Sequence, residues 1–278
     1  MFRATLRVKF LFEMKSKVTL EYEIRWPKHV LTLGEAVRYI DATGFCLLFP
    51  VRNVALPSLH YAATRRNSNE KMVWDKYSQM VWRWKDELPR RKRAFYAKYF
   101  RGRGTFISLE MLPHFLAMRE AAAAPDDYDR FYAEGRIHDD ARLIWEALAK
   151  HGPLATLELR NACGMDAKAG NVRFKRAILD LQRLLAVAHF GTEQETAAWA
   201  SGRYELTCRA FPKETAEARS ISPAQARAAV AAKYLESYRE ATSAGVARLM
   251  GWSKDEAVKA IEAREAGETI RTKTGSKK

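Results

Sequence analysis

Seven basic side chains fall within the fourteen residues Arg90 to Arg103, "RRKRAFYAKYFRGR", and no acid lies among them. Guanidinium and ammonium groups at that density grip phosphate oxygens, which hold a nucleic acid without reading its sequence. Phe95, Tyr96, Tyr99 and Phe100 interleave with the charges. Aromatic rings so placed either stack on bases or fill a core. On a helical wheel the four rings share one arc, and Arg90, Arg91, Lys98 and Arg101 take the opposite one. The spacing therefore predicts an amphipathic helix with an aromatic core face and a wet basic face. Beyond it, Gly102 and Gly104 flank Arg103 and would let backbone N–H groups approach a phosphate.

A second set of such residues is Lys168, Asn171, Arg173, Lys175 and Arg176. They surround the start of a predicted helix whose apolar Phe174, Ile178, Leu181 and Leu185 point inward. Polar side chains at that end of a helix can enter a DNA groove.

Catalytic chemistry is sparsely signalled. The chain holds no GxxxxGK[ST], no strand-led GxGxxG, no HExxH and no GxSxG. Six histidines are scattered, and each reads as a surface or packing residue. Glu35, Asp41, Asp75, Asp86 and Glu110 could in principle activate a water. Each also reads as a helix cap or a surface acid, and none has a partner close in sequence. Asp41 is kept as the weak catalytic candidate. Cys46, Cys163 and Cys208 are far apart and form no CxxC pair, so neither a zinc site nor a disulfide framework is expected. No cofactor or metal is expected, and a reducing cytoplasm fits.

Composition agrees with a polyanion as partner. Net charge is +15 over 278 residues. Residues 1–125 carry 23 Lys+Arg against 11 Asp+Glu, and residues 126–278 carry 25 against 22. The positive field is therefore concentrated in the N-terminal part. No apolar run approaches the ~18 residues that would span a bilayer, so no membrane partner is expected.

The elements that must position these residues follow from the periodicity. Residues 1–30 alternate apolar and polar like a β-hairpin. "LTLGEAVRYIDATG" predicts a helix capped by Thr32 and Glu35 and stopped at Gly44. Proline breaks "FCLLFPVRNVALPSL", and "TFISLEML" predicts a strand leading into a helix. "AAAAPDDYDRFYAEGR" has the composition of a connector. After it come "DDARLIWEALAKHG", "ATLELRNACG" with Thr156 as cap, and "DAKAGNVRFKRAILDLQRLL". The strand-like "AVAHFG" and "RYELTC" then flank a polar loop from Thr192 to Gly202. Three helices and a two-stranded ribbon give the order of a winged helix, whose last helix and wing face nucleic acid. Helices capped at Ser222 and Ser253, with "TSAGVARLMG" between them, repeat the helical part without a wing.

The expected fold is thus mainly α with small β ribbons, in tandem winged-helix or helix-turn-helix units. A hairpin-like extension spans 1–30, a winged-helix-like domain 31–125, a central winged helix 136–212, a wingless unit 220–270 and a disordered tail 271–278.

Together, "LTLGEAVRYIDATGFCLLFPVRNVALPSL", "WRWKDELPRRKRAFYAKYFRGRGTFISLEMLPHF" and "IWEALAKHGPLATLELR" resemble the AlkZ-like bacterial DNA glycosylase superfamily, a helix-turn-helix group. The likeness is greatest to its compact AlkZ-related winged-helix branch and covers roughly Leu31 to Gly267. It implies a DNA-holding cleft built in part by the N-terminal winged helix, a tryptophan-bearing segment and an "RGT" strand, here Arg103-Gly104-Thr105. It also implies excision of alkylated or crosslinked bases by a water-activating Gln-x-Gln or Gln-x-Asp motif. The matching positions after Gly44 are Leu47, Leu48 and Phe49, which can neither orient a water nor stabilise a developing positive charge.

The resulting expectation is a monomeric, cytoplasmic, double-stranded-DNA-binding protein, nucleoid-associated when bound, with DNA repair as its context. Phosphate contact is assigned to Arg90, Arg91, Lys98, Arg101 and Arg103, and groove contact to Lys168, Asn171, Arg173, Lys175 and Arg176. The alternatives are a winged-helix transcriptional regulator and an active alkylated-base glycosylase using a carboxylate such as Asp41.

Overall fold

The computed structural model describes residues 29–66, 72–194, 200–238 and 241–263. The hairpin expected over 1–30 and the tail expected over 271–278 lie outside them, apart from residues 29 and 30. The chain is mainly helical, with two small antiparallel sheets. Among the described residues, no helix is long and apolar enough to cross a membrane.

The N-terminal part runs α1 (Leu33–Thr43), β1 (Phe45–Leu47), α2 (Leu59–Thr64), α3 (Lys76–Arg90), β2 (Phe95–Lys98), a 3-10 turn (Phe100–Gly102), β3 (Gly104–Ile107) and α4 (Leu112–Met118). Local chemistry sets the first helix. The Thr32 hydroxyl accepts from the Glu35 N–H, and the Glu35 carboxylate accepts from the Thr32 N–H, satisfying amide groups that the helix itself cannot. Gly44, at φ 74°, then reverses the chain into β1.

The three strands pair in the order β1-β3-β2, with Leu47 opposite Thr105 and Lys98 opposite Gly104. Both faces of this sheet are buried. Cys46, Tyr96 and Phe106 join Ile40, Leu59, Val81 and Leu88 on one side. Phe45, Leu47, Phe95, Ala97 and Ile107 join Phe115, Phe211 and Val230 on the other.

The helix predicted through Arg90 to Arg101 is therefore corrected: α3 ends at Arg90, and β2, the 3-10 turn and β3 follow. Its four aromatics are all buried, as the wheel required, but they reach the core from a strand and a turn.

Next come α5 (Tyr128–Ala133), α6 (Asp139–His151), β4 (Leu154–Ala155), α7 (Thr156–Ala162), α8 (Gly170–Leu184), β5 (Val187–Gln194) and β6 (Ala200–Leu206). The presumed connector contains α5, whose Phe131 is fully buried against Trp145 beneath the guanidinium groups of Arg130 and Arg136. Thr156 is not a cap; its hydroxyl donates to the Gly202 carbonyl (2.8 Å), tying α7 to β6. The expected two-stranded ribbon is a three-stranded sheet of order β4-β6-β5, because Leu154 pairs with Tyr204. Phe174, Ile178 and Leu181 of α8 pack with Ile144, Trp145 and Leu148 of α6.

The last part is α9 (Thr207–Ala210), α10 (Pro212–Ala218), α11 (Pro223–Ser237), α12 (Ser243–Met250) and a helix over 254–263, here α13. The caps at Ser222 and Ser253 form as expected. α10 and α11 pack on α4, so the C-terminal helices share the core of the first sheet.

One tight point between α7 and α8 gives a test. A Cβ on Gly170 would stand 2.5 Å from the Met165 carbonyl oxygen and 2.8 Å from its carbon. Backbone cannot swing aside as a side chain does. Gly170→Ala is expected to destabilise the protein by about 2–3 kcal/mol in urea unfolding. A change below about 0.5 kcal/mol would show that the turn relaxes freely.

Candidate nucleic-acid interface

The connection from β2 to β3 carries Lys98, Arg101 and Arg103, and all three side chains are exposed. Its shape is held from within by Thr105. That hydroxyl accepts from the Phe100 N–H (3.3 Å) and donates to the Arg103 carbonyl (2.9 Å). Arg101 takes a left-handed conformation at φ 51°. The Tyr96 hydroxyl lies where a Gly104 Cβ would be, 2.2 Å from that position. "RGT" thus has a physical reading: Arg103 projects, Gly104 makes room for a buried tyrosine, and Thr105 clamps the loop.

Gly102 does not present a free amide to a phosphate, contrary to expectation. The Gly102 N–H donates to the Tyr99 carbonyl (3.3 Å), and the Gly104 carbonyl accepts from the Leu48 N–H (2.8 Å), which ties the loop to β1. Gly102 instead allows close packing, since its Cβ would lie 3.1 Å from the Arg183 guanidinium and 3.4 Å from Leu179.

Those contacts place the loop on α8. The Lys98 N–H also donates to the side-chain oxygen of buried Gln182 (2.9 Å). Along α8, Val172, Arg176, Leu179 and Arg183 follow each other at helical spacing. The first basic segment thus rests on the later turns of the helix whose first turns carry most of the second.

Their members are not equivalent. Lys175 and Arg176 are exposed on α8, and Asn171 is half-buried in its first turn. α8 begins at Gly170, so Lys168 stands in the preceding turn rather than on the helix. Arg173 is engaged by both carboxylate oxygens of Asp140, through Nε at 3.0 Å and through its terminal nitrogen. Asp180 lies between His138 Nε2 (3.2 Å) and Arg183 (3.7 Å). At the end of α3, Arg91 pairs with Glu87 (3.4 Å), whereas the Arg90 stem lies against Gly191 of β5. Arg160, missed in the sequence reading, donates to the carbonyls of Met165, Asp166 and Ala167 and so shapes the turn that leads into α8.

At the positions of the expected catalytic motif, Leu47 and Leu48 are buried in the sheet and its core. Phe49 is half-buried and stacks on Trp82, 6.3 Å between ring centres. None of the three offers a group that could activate water. Asp41 sits on the exposed side of α1 near Arg93 and Glu110. Partial desolvation raises its carboxyl above the ordinary value, and Arg93 opposes the rise. Among the described residues, no group of three or more His, Cys, Asp or Glu side chains could hold a metal ion.

One polar cluster escaped sequence reasoning. Asp86 on α3 accepts from Lys85 Nζ and from His189 Nε2 on β5, each at 2.6 Å to the same oxygen. The tyrosine rings of residues 96 and 204 stand edge-on to His189. Asp86 had been read as a cap or surface acid; its partner lies 103 residues along the chain, beyond any local motif. Burial pushes the imidazole below its ordinary value. Burial alone would raise Asp86, but hydrogen bonds from His189 and Lys85 outweigh it, so that carboxyl lies below the usual range.

Neither a curated protein nor a solved structure matches the chain. A family model described as AlkZ related matches residues 30–251, from two residues before the threonine that caps α1 to the glycine that ends α12. With most of its length matched, and with both basic segments inside the match, the chain belongs to the AlkZ-related family.

Proposed function

We propose that the protein binds double-stranded DNA through a face formed by the β2–β3 loop and α8, in a repair setting like that of the glycosylases its family is related to. In this reading residues 136–212 hold a winged helix, with α8 as the groove-facing helix and β5–β6 as the wing. The order helix, strand, helix, helix, strand, strand, with β4 completing the sheet, supports it. α1–α4 and their sheet form a second winged-helix-like unit within 31–125, and α11–α13 a third without a wing.

The observation that carries the proposal is the docking of the β2–β3 loop on α8. It rests the loop that carries Lys98, Arg101 and Arg103 on the Leu179–Arg183 part of α8, the helix that also carries Lys175 and Arg176, which supports phosphate contact and groove contact on one side. Arg173 contributes less than its neighbours because Asp140 already neutralises it. Base excision is not assigned, since apolar side chains stand at 47–49.

Mobility-shift titration with plain and N7-alkylated duplex at about 50 mM salt tests this. Binding to both without heat-labile abasic sites is expected. No binding to either would remove the DNA reading, and abasic sites above a no-protein control would restore catalysis to this chain.

A further inference from the structure

Two tryptophans, one before α3 and one within it, stand outside the core. Trp74 is 55% exposed and Trp82 44%, and the two indoles meet at 70° with ring centres 5.9 Å apart. Phe49 backs both, 6.3 Å from each. Met72 and Val73, exposed as well, lead directly into Trp74. Tyr132, Leu157 and Val172, by contrast, stand singly on α5, α7 and α8. Single exposed apolar residues are ordinary, whereas a contiguous aromatic corner marks a docking surface.

The described chain begins beside that corner. The Val30 N–H donates to the Ala62 carbonyl (3.1 Å), and the His29 ring donates through Nδ1 to the Ala63 carbonyl (2.8 Å). Both carbonyls belong to α2, whose His60 ring lies 5.2 Å from the Phe49 ring and bonds to Ser78 of α3 (3.0 Å). The chain thus enters along the helix that supports the corner. With six residues, α2 is only about 9 Å long. Residues 18–26, if extended, span roughly 30 Å at ~3.3 Å per residue, which reaches across α2 and the rings it supports.

Residues 1–28 carry what such a corner would take. Every even-numbered position from Phe2 to Phe12 and from Val18 to Trp26 is apolar. The odd-numbered ones between them are polar apart from Leu11. Extended chain with that alternation puts its apolar side chains on one side. Two strands alone cannot hide that side from water and need a surface to pack on. An occupant tethered to the same chain also acts at an effective concentration of about millimolar, ahead of a second copy or a free ligand.

We propose that residues 1–28 cover the Trp74–Trp82 corner, laying their even-numbered apolar side chains on the indoles and turning their odd-numbered ones to solvent. The proposal does not depend on DNA binding. It makes the corner an intrachain seat and withdraws its rings from outside partners.

Trypsin gives the test, applied to the full chain under native conditions with cut sites read by mass spectrometry. The segment offers cuts after Arg7, Lys9, Lys17 and Arg25. In the wild type these should be roughly tenfold or more slower than in a synthetic peptide of residues 1–28, because cleavage follows the undocked population. Trp74→Ala, Trp82→Ala and, from the other side, the double variant Phe10→Ser/Ile24→Ser should each speed them roughly 10- to 100-fold, the worth of one or two large apolar contacts. Trp74→Phe should keep most of the protection. Combining Trp74→Ala with the segment variant should add little, since a released segment has no contact left to lose. Unchanged cutting within residues 139–206 shows that a variant is folded.

Wild-type cuts as fast as those in the peptide overturn the proposal, and so do corner variants that leave the segment's cutting unchanged. Effects of Trp74→Ala and the segment variant that multiply would show that the two act separately, and overturn it too. Protection that grows with protein concentration would assign the corner to a second copy of the chain. Protection that appears only with added duplex would assign it to DNA. Either result overturns the intrachain seat.

Discussion

Between about 50 and 200 mM monovalent salt, affinity for plain duplex will fall roughly 500-fold. The magnitude follows from which cations are free. Lys98, Arg101, Arg103, Lys175 and Arg176 are exposed, and none forms an ion pair with a described carboxylate. Arg91, Arg173 and Arg183 are held by Glu87, Asp140 and Asp180. Five phosphate contacts give a slope of about −4.5 in log affinity against log salt, since each releases about 0.9 counterion. A fourfold rise in salt then costs between two and three decades.

The slope also separates this face from a diffuse positive surface. Arg101→Gln/Arg103→Gln should lower the slope by about two, one for each lost phosphate contact. Arg173→Gln should change it by well under one, because Asp140 competes for that guanidinium before DNA arrives. If the double arginine variant keeps the wild-type slope, the β2–β3 loop is not at the interface. If the wild type has a slope near zero, electrostatic binding itself is excluded.

The sequence made some of this visible, and the reasons for success and failure are physical. Caps were readable because they are local: Thr32 with Glu35, and Ser253 with Glu256, bond across three residues. The stripe Phe174, Ile178, Leu181 was readable because α8 has one buried side and one wet side. β2 was not, because the first sheet lies between two cores. Phe95 and Ala97 face one, Tyr96 faces the other, and the period-2 alternation that marks a half-exposed strand disappears. A helical wheel applied there identified the buried rings and missed the element.

At the proposed interface, residue types were legible and partners were not. Basic side chains announce a phosphate grip, but no spacing rule reveals that Asp140 occupies Arg173, or that the loop after Lys98 rests on Gln182, 84 residues away.

The same distance problem hid Asp86, and removing it should be the most damaging substitution considered for stability. Its carboxylate is the shared acceptor of Lys85 and His189 at the seam between α3 and β5. An ionised carboxylate can only accept, so His189 must carry its proton on Nε2. Asp86→Ala would take the acceptor from the Lys85 ammonium, which lies over the Trp82 ring, and from the imidazole N–H of His189, buried between Tyr96 and Tyr204. Breaking a buried pair from one side costs about 3–5 kcal/mol, or roughly 10 °C in Tm for a chain of this size.

Acid should reveal the same cluster, and the sign is fixed by the two shifts. Burial holds the His189 imidazole below its ordinary 6.5 in the folded protein, against the pull of Asp86, and the nearby cations Lys85 and Lys98 add to the depression. As pH falls through about 6.5 the unfolded chain takes up that proton first, so stability declines; above 6.5 the contribution is complete. Asp86 titrates below its ordinary 3.8, so its contribution holds above that value and is lost on further acidification. Urea unfolding at pH 7.5 and 5.5 should therefore show a weaker wild type at the lower pH. In His189→Gln, which retains an N–H donor toward Asp86, the share of that difference due to the imidazole disappears. In Asp86→Ala the step persists, because burial still opposes the imidazolium and the carboxylate that favoured it is gone. An Asp86→Ala loss below about 1 kcal/mol, or an undiminished acid step in His189→Gln, would show that water reaches the seam and that the cluster does not hold α3 to β5.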